Sequence, residues 1–466
     1  MGRLRPAVRT VEALPAVYLT HWRAKGITQL DVDQAEYWVR NMSKWEVAGA
    51  WRARVVNGTL WVRMLSMQPH WAERTSVLRL LHMAVKRGAA RGEPLGDLDI
   101  VYAHNDRDPT PLRGWPPGNH SARRKIPLLT NGHEQGRSSL PVPEFSWVGW
   151  HTHTPPWCQL YGEVAAAGRL PWANRSDIAY FSGGLSNGPV RQQFRKLSQT
   201  AQAEGVIKVR NVAPRFFTTT AAARAGKDPP QPMSALCGYK YLISLAGYGY
   251  SNRLKSLLMC GSVVIHVQQP WNEFFMPMLA DGRQLVIARR VSDIIDIVHR
   301  LRANSSHAER VGRAGRHLAA NQMSFERALD YFHGLLRSYG AIQRRHATNG
   351  RLELSTSGFT PIRTAADLGR LAGQCDCGAG ESRTSAERCG VDKEQFATTR
   401  RSFQGGRYRC CEGYDCALDV CTAAQQQRVM RGRRHNAERL RVTSDTGSRS
   451  VTVRETEPQR RTGIPV

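Results

Sequence analysis

The sequence predicts an α/β protein built around a parallel, doubly wound sheet. Between residues 205 and 340, short runs of β-branched and aromatic residues alternate with segments of helical apolar spacing. Such alternation is typical of parallel strands joined by crossover helices. Hydrophobic residues make up 41% of the 466 residues, a share that supports packed cores and excludes a disordered chain.

The first hundred residues combine predicted helices with a β-hairpin. Asn57-Gly58 is a strong two-residue turn signal, because its flanks are β-branched and aromatic. A buried strand then runs into a polar, Pro-rich loop, Asn105–Pro117. In chain order, the patterns predict helix Asp31–Met42, hairpin Trp51–Met64, helix Ser76–Arg87 and strand Asp97–His104.

The rest of the regular part is predicted in the same way. Gly261 stands where a helix C′ glycine belongs, and Ser292 is the predicted cap of a helix with apolar spacing from Ile294 to Leu301. The predicted elements are strand Asp177–Phe181, a helix from Val190 to about Ala203, strands Val206–Val212 and Tyr241–Leu245, helix Asn252–Cys260, strands Ser262–Val267 and Gln284–Ala288, and helices near 306–319 and 324–338.

A glycine loop between a buried strand and a helix predicts a phosphate site. Gly247 and Gly249 let the backbone approach a ligand, and free N–H groups at a helix start favour a pyrophosphate. Ser251 and Asn252 are candidates to cap the helix or contact phosphate, and Arg253 adds a bidentate charge. The alternative is a tight packing turn with a surface arginine. The spacing fits neither the dinucleotide fingerprint nor a P-loop.

The full segment carries more information than the loop alone. Lys240–Val267 reads KYLISLAGYGYSNRLKSLLMCGSVVIHV, and Trp271, Glu273, Phe274 and Phe275 follow it. This stretch resembles the signature of glycosyltransferase family 90. That family includes secretory-pathway protein O-glucosyltransferases, capsule-associated xylosyltransferases and KDEL-motif-containing relatives. The resemblance covers roughly residues 30–340.

The resemblance implies a GT-B-like fold, in which two Rossmann-like domains face a cleft. Seven cysteines between Cys375 and Cys421 predict a Cys-rich module, for which disulfides are favoured over zinc because paired C-x₂-C knuckles are lacking. The predicted domains are an N-terminal extension 1–30, an acceptor and catalytic-base domain 31–204, a UDP-sugar domain 205–345, and a segment 346–466 with the Cys-rich module at about 370–425 and a disordered basic tail.

The same resemblance implies which residues bind the donor. The donor loop comprises Tyr248, Gly249, Tyr250, Ser251, Asn252 and Arg253, with Arg253 on the diphosphate. A facing loop follows Phe181, and its Gly184, Ser186 and Arg191 are candidate phosphate contacts. Ser182 and Leu185 stand where the family carries two further arginines, which favours weaker donor binding, a changed donor or an inactive member.

An inverting transfer needs one base to deprotonate the acceptor hydroxyl. By resemblance that base is Asp106, which follows the strand Asp97–His104, and Asp108 is its rival. Both also suit a simple Asx-type turn. A metal-binding D-x-D at Asp97 and Asp99 is a further alternative, although the resemblance implies a metal-independent enzyme with UDP-sugar as co-substrate.

Two weaker features have both a functional and a structural interpretation. His151 and His153 have spacing compatible with a metal, although a cleft-lining loop is favoured. Trp147, Trp150 and Trp157 suit either an acceptor platform or core packing.

Charge and targeting signals bound the function. The formal charge of +28 suits polyanions, yet no nucleic-acid-binding motif is present, so a basic nucleic-acid-binding protein is the rival and no nucleic acid is expected. Five glycosylation sequons and the cysteines favour the endoplasmic reticulum or Golgi lumen, although the N-terminus is a poor signal peptide and no membrane attachment is visible. The prediction is transfer of glucose or xylose to a protein or glycan hydroxyl, with an inactive UDP-sugar-binding member as alternative.

Overall fold

Two main sheets and one two-stranded ribbon contain the strands of the described chain. The computed structural model describes residues 8–42, 49–67, 73–105, 107–110, 125–149, 155–212, 228–229, 231–347, 350–364, 367–368 and 371. All of them lie in one contact unit, Met1–Val420. The tail cysteines from Cys375 onward, and with them the predicted Cys-rich module, lie outside the described residues.

The first sheet is mixed and contains the predicted hairpin. Its strand order is β13-β2-β1-β3-β4-β6, with β3, β4 and β6 parallel to one another. Asn57 and Gly58 have positive φ values of 49° and 74°, so the predicted turn is confirmed. The strands are β1 Gly49–Val56, β2 Thr59–Met67, β3 Leu98–His104, β4 Leu128–Thr130, β6 Leu140–Pro141 and β13 Thr360–Ile362.

The second sheet is parallel, as the alternation of strands and helices predicted. Its order is β12-β10-β9-β7-β8. The sheet includes β7, so it begins before residue 205, where the sequence placed the start of the second domain. The strands are β7 Ser176–Gly183, β8 Ile207–Asn211, β9 Tyr239–Ser244, β10 Val263–Val267 and β12 Val286–Ala288, and a separate ribbon pairs β5 His133–Glu134 with β11 Trp271–Asn272.

The predicted helices are found in place but differ at several ends, and three further helices, Leu14–Tyr18, Thr20–Lys25 and Trp157–Ala167, were not predicted. The helix after β7 ends at Leu197, because Ala201–Ala203 is a separate 3₁₀ turn. Ser292 does not cap its helix. Instead, the carboxylate of Asp293 accepts from the backbone N–H of Arg290 at 3.0 Å. The helices are α1 Leu14–Tyr18, α2 Thr20–Lys25, α3 Gln29–Arg40, α4 Glu73–Ala90, α5 Trp157–Ala167, α6 Pro189–Leu197, α7 Leu254–Met259, α8 Ile294–Ala303, α9 Ser305–Gln322 and α10 Phe325–Arg345.

The segments predicted to flank the two domains take part in the fold. Trp22, in the predicted extension 1–30, is fully buried and donates to the carbonyl of Ser138 at 3.3 Å. Beyond residue 345, β13 adds an antiparallel edge to β2. Helix α10 follows the second sheet in sequence but packs on α4 and β3 beside the first. The core around the first sheet therefore draws on both ends of the described chain.

The carboxylates of the D-x-D alternative hold the first sheet together. Asp99 is fully buried, and Arg52 donates to it at 2.6 and 2.8 Å and Arg54 at 2.9 Å. Asp97 accepts from the backbone N–H of Asn57 at 3.0 Å. Both carboxylates are therefore used by the protein itself, and this arrangement favours a structural role over metal binding.

Removing Arg52 should destabilise the fold strongly. Arg52→Ala leaves Asp99 buried with one of its two arginine partners gone, and breaking a buried ion pair costs about 3–5 kcal/mol. Arg313→Ala is the control, because its pair with Glu309 is exposed and such pairs contribute about 0–1 kcal/mol. Urea unfolding of both variants measures the difference. Equal free energies of unfolding for the two variants would contradict a structural role for the Arg52–Asp99 pair.

Candidate functional site

Two loops meet at the carboxyl edge of the second sheet. One follows β9 and contains the predicted donor loop, and the other joins β7 to α6. Gly188, with φ of 88°, closes the second loop. A Cβ added there would lie 2.4 Å from the carbonyl oxygen of Gly247. The two loops therefore touch, at the edge of a parallel sheet where ligands of α/β enzymes commonly bind.

Two arginines converge where these loops meet. Arg191 donates to the carbonyl of Ala246 at 3.0 Å and to that of Gly184 at 3.1 Å, and Arg253 donates to the carbonyl of Ser182. Their guanidinium carbons lie 5.8 and 5.5 Å from the ring centre of Phe181. Among the described residues, no carboxylate lies within ion-pair distance of either guanidinium. The sequence predicted both residues as donor contacts, and the structure brings them together.

The electrostatics of the pair favour an anionic ligand. Burial, and then the charge of Arg253, lower the pKa of Arg191 to about 9, and burial lowers the pKa of Arg253 to about 10. Both groups keep their charge at neutral pH. Two positive charges are thus held close together with only neutral carbonyl partners, and an arginine fork matches phosphate oxygens well.

A cavity of about 170 Å³ opens beside Arg253. Asn252, Ser256 and Ser182 provide polar groups at its wall, while Trp157 and Leu236 provide apolar surface. Polar groups next to an apolar wall are typical of small-ligand pockets. Arg253 is the member of the arginine pair that lines this cavity.

The start of helix α7, after the donor loop, differs from its prediction. Helix α7 has six residues, and neither Ser251 nor Asn252 caps it with a side chain. The helix end therefore contributes little, and the arginines supply the positive charge. Tyr248 is 62% exposed at the loop tip, whereas Tyr250 and Ser251 are buried, and the carbonyl of Gly249 accepts from the N–H of Gly247 at 3.1 Å.

The facing loop uses its backbone more than its side chains. The carbonyl of Ser182 accepts from Arg253, and the side chain of Leu185 is buried in the core of the second sheet. Ser186 is exposed, and its hydroxyl lies 3.5 Å from the side chain of Asn187. The two positions that lack the family's arginines are thus a backbone acceptor and a core residue.

The base candidate Asp106 lies outside the described residues and stays a prediction. Its rival Asp108 is buried and accepts from the backbone N–H of Thr110 and of Glu134, both at 3.0 Å, and from the hydroxyl of Ser139. The bond to Thr110 is the predicted Asx-type turn, which is confirmed for Asp108. The carboxylate of Asp108 therefore holds the loop in place, which favours Asp106 as the base.

Lys255, two residues after the donor loop, is bound by other groups of the protein. It is 2% exposed and donates to Glu144 at 3.0 Å, to the hydroxyl of Ser146 at 2.6 Å and to the carbonyl of Asn252 at 2.8 Å. Trp147 and Trp157 are fully buried around it, which confirms core packing for these two. Trp150, His151 and His153 lie outside the described residues.

Sequence reasoning missed two features of this region. Cys237 and Cys260 form a disulfide that joins the chain before β9 to the end of α7. Cys260 lies within the family signature and Cys237 three residues before it, so their positions were the available signal. Glu273 is also buried near Lys255, at 3.9 Å. Burial, followed by repulsion from Glu144, raises the pKa of Glu273 to about 8, although Lys255 opposes the shift.

A parallel sheet with polar loops at its carboxyl edge is typical of α/β enzymes. The sequence matches Glycosyl transferase family 90 over residues 18–355. The chain therefore belongs to glycosyltransferase family 90.

Three relatives show the range of similarity. Protein O-glucosyltransferase 1 of Rattus norvegicus is 29% identical over 260 residues, which are 53% of this chain and 62% of that protein. The Homo sapiens protein of the same name is 28% identical over the same shares. O-glucosyltransferase rumi of Drosophila pseudoobscura pseudoobscura is 25% identical over 183 residues, 37% of this chain and 42% of that protein. The chain thus spans 62% of the length of the first curated relatives it matches.

Within the described ranges, no helix is both long enough and apolar enough to cross a bilayer.

The contact between the two loops predicts a selective effect of alanine at Gly188. Gly188→Ala places a methyl group 2.4 Å from the Gly247 oxygen, and overpacking costs about 1–3 kcal/mol beyond backbone strain. Gly136→Ala is the control, because Gly136 has a φ of 89° but nothing within 4 Å of an added Cβ. We expect a larger loss of unfolding free energy for Gly188→Ala in urea titrations. A loss no larger than that of Gly136→Ala would refute the close approach of the loops.

The raised pKa of Glu273 predicts a pH-dependent stability. Between its ordinary value of 4.5 and about 8, the folded protein holds a proton that the unfolded chain has released. This contribution is fully present below about pH 4.5 and is lost as the pH rises towards 8. Glu273→Gln should flatten that decline in urea unfolding measured from about pH 5 to 8. The exposed Glu204→Gln should retain it, and parallel curves for Glu273→Gln and the unaltered protein would disprove the assignment.

Proposed function

We propose that the protein is an inverting glycosyltransferase that moves glucose or xylose from a UDP-sugar to a hydroxyl group on a protein or glycan. The observation that carries the proposal is the arginine pair, in which buried Arg191 and half-buried Arg253 have neutral carbonyl partners at the edge of a parallel sheet. Membership in the family and the names of its O-glucosyltransferase relatives support sugar transfer.

The arginine pair would bind the diphosphate of the donor. Arg253 and Arg191 face the same ring, so both reach one anion between the two loops. When the bond between the sugar C1 and the diphosphate breaks, negative charge accumulates on the leaving UDP. Fixed guanidinium groups stabilise that charge without reorganisation. In this proposal they supply the positive charge that a metal supplies in other transferases, so no metal is required.

The remaining predicted contacts surround this centre. Gly184 and Ser186 belong to the facing loop, and Tyr248, Gly249, Tyr250, Ser251 and Asn252 belong to the donor loop. The adjoining cavity, with its apolar wall at Trp157 and Leu236, suits the uracil and ribose. The donor would therefore lie across the contact between the loops.

Asp106 would act as the base on the acceptor. It takes the proton of the acceptor hydroxyl as that oxygen attacks C1 from the face opposite UDP, so that a single displacement inverts the anomeric centre. Its neighbour Asp108 holds the loop to β5 through the N–H of Glu134. A base on a loop fixed in this way is positioned before the acceptor arrives.

We extend the proposal to architecture and compartment. The two main sheets form the two Rossmann-like halves of a GT-B arrangement. The donor loop and the loop after β3 that carries Asp106 and Arg107, called the base loop below, line the cleft between them. Disulfides in the Cys-rich module at about 370–425 stay a prediction from the sequence. A lumenal compartment, the endoplasmic reticulum or the Golgi, is supported by the Cys237–Cys260 disulfide, because disulfides persist in oxidising compartments.

A second candidate is a member of the family that binds a UDP-sugar without transferring it. The observation that favours it is the loss of two arginines from the facing loop, at Ser182 and Leu185. In that case, UDP binds and no sugar is transferred.

A panel of UDP-sugars tests the proposal. We measure UDP binding by calorimetry and transfer by product detection, with UDP-glucose and UDP-xylose expected to be used. Arg253→Ala should weaken UDP binding by about 1.5–3 kcal/mol, the contribution of a hydrogen bond to a charged group. Asp106→Asn should lower turnover by about 10²–10⁴-fold and leave UDP affinity unchanged.

The control for both variants is Arg313→Ala, because Arg313 is exposed on α9 and should affect neither measurement. If Arg253→Ala and Asp106→Asn both leave turnover unchanged, the assignment of the site is wrong. UDP binding by the unaltered protein without any transfer selects the second candidate.

A further inference from the structure

Arg107 connects the base loop to the donor loop. Its Nε donates to the carbonyl oxygen of Tyr248 at 2.7 Å, and its guanidinium carbon lies 4.9 Å from the ring centre of Trp271. The backbone N–H of Arg107 donates to the side chain of Asn105 at 2.8 Å, which fixes the turn from which the side chain extends. The exposed side chain of Arg107 thus contacts both the donor loop and strand β11.

The ribbon of β5 and β11 anchors the same loop from its other side. The carboxylate of Asp108 accepts from the N–H of Glu134, and Glu134 is paired with Trp271 in the ribbon. The guanidinium of Arg107 lies over that same tryptophan. Residues 107 and 108 are therefore both held to the ribbon, and Arg107 continues from there to the donor loop.

The point of contact on the donor loop is its exposed tip. Tyr248 is 62% exposed, and within the tip the N–H of Gly247 donates to the carbonyl of Gly249 at 3.1 Å. Arg191 holds the chain one residue before the tip, through the carbonyl of Ala246. The hydrogen bond from Arg107 to the Tyr248 carbonyl therefore fixes the donor loop at a second point. That point lies two residues after Ala246, whose carbonyl Arg191 holds.

We infer that Arg107 is a positioning residue, a clasp that sets the distance between the tip of the donor loop and the loop at residues 107 and 108. This inference rests on the proposed function. Arg107 needs no contact with the substrate, because it fixes the tip that holds the donor relative to the loop that carries the base. Transfer depends steeply on that distance, since a misplacement of about 1 Å costs about 10²-fold in rate.

The test compares Arg107→Ala with Arg107→Lys. For Arg107→Ala, we expect kcat for transfer to fall by about 10–100-fold, with UDP Kd unchanged within about threefold. We also expect donor hydrolysis to rise relative to transfer, because water needs less exact placement than the acceptor. Arg107→Lys keeps a cation over Trp271 and should restore part of kcat. Arg283→Ala, an exposed arginine elsewhere, is the control and should match the unaltered protein.

Hydrogen exchange gives a readout that does not depend on activity. Exchange in residues 245–253 should rise in Arg107→Ala and stay unchanged in Arg283→Ala. Unchanged exchange in Arg107→Ala, or an unchanged ratio of hydrolysis to transfer, overturns the clasp. A parallel loss of kcat and UDP affinity also overturns it, because Arg107 would then be a donor contact. If the unaltered protein transfers no sugar but exchange still rises, the clasp stands and the proposed function fails.

Discussion

The site depends on two like charges that the fold holds close together without a carboxylate in the described structure. Arg191 and Arg253 are oriented by backbone carbonyls and share the ring of Phe181. Burial disfavours the charged form of both arginines and lowers the pKa of each, and the charge of Arg253 lowers the pKa of Arg191 further. In the proposed complex, the diphosphate would offset both costs. The contact between the loops at Gly188 keeps the two groups from separating.

Other buried charges of the described chain show how different this pair is. Asp99 is neutralised by two arginines, and Lys255 by Glu144, so each has its counterion within the protein. Those ion pairs stabilise the arrangement of strands and loops, and their charges are already neutralised within the protein. Lys255 is adjacent in sequence to the donor loop, yet its bonds to Glu144 and Ser146 tie α7 to the chain before α5. One cation of this region therefore places the loop, and the other two are the ones for which we propose a binding role.

Local patterns predicted the fold well where neighbours in sequence determine it. The hairpin at Asn57-Gly58, the parallel sheet and the C′ glycine at Gly261 each follow from a few adjacent residues. The pairing of Trp271 with Glu134 and the burial of Lys255 could not be predicted, because their partners lie more than a hundred residues away. Contacts between distant parts of the chain also explain why only part of the site could be predicted. Sequence motifs supplied its candidate residues, while the neutral surroundings of Arg191 and Arg253 became visible only in the fold.

The two missing arginines of the facing loop are consistent with a site adjusted to its charge. The side chain of Leu185 is buried with Phe181 and Phe194 in the core of the second sheet, so an arginine there would require either a buried third cation or a different loop path. A third guanidinium beside two that already repel would raise the cost of the empty site further. The diphosphate of a UDP-sugar carries two negative charges, and two arginines match it. In the proposed complex, an uncharged side chain at Leu185 is therefore compatible with charge balance between the arginine pair and the diphosphate.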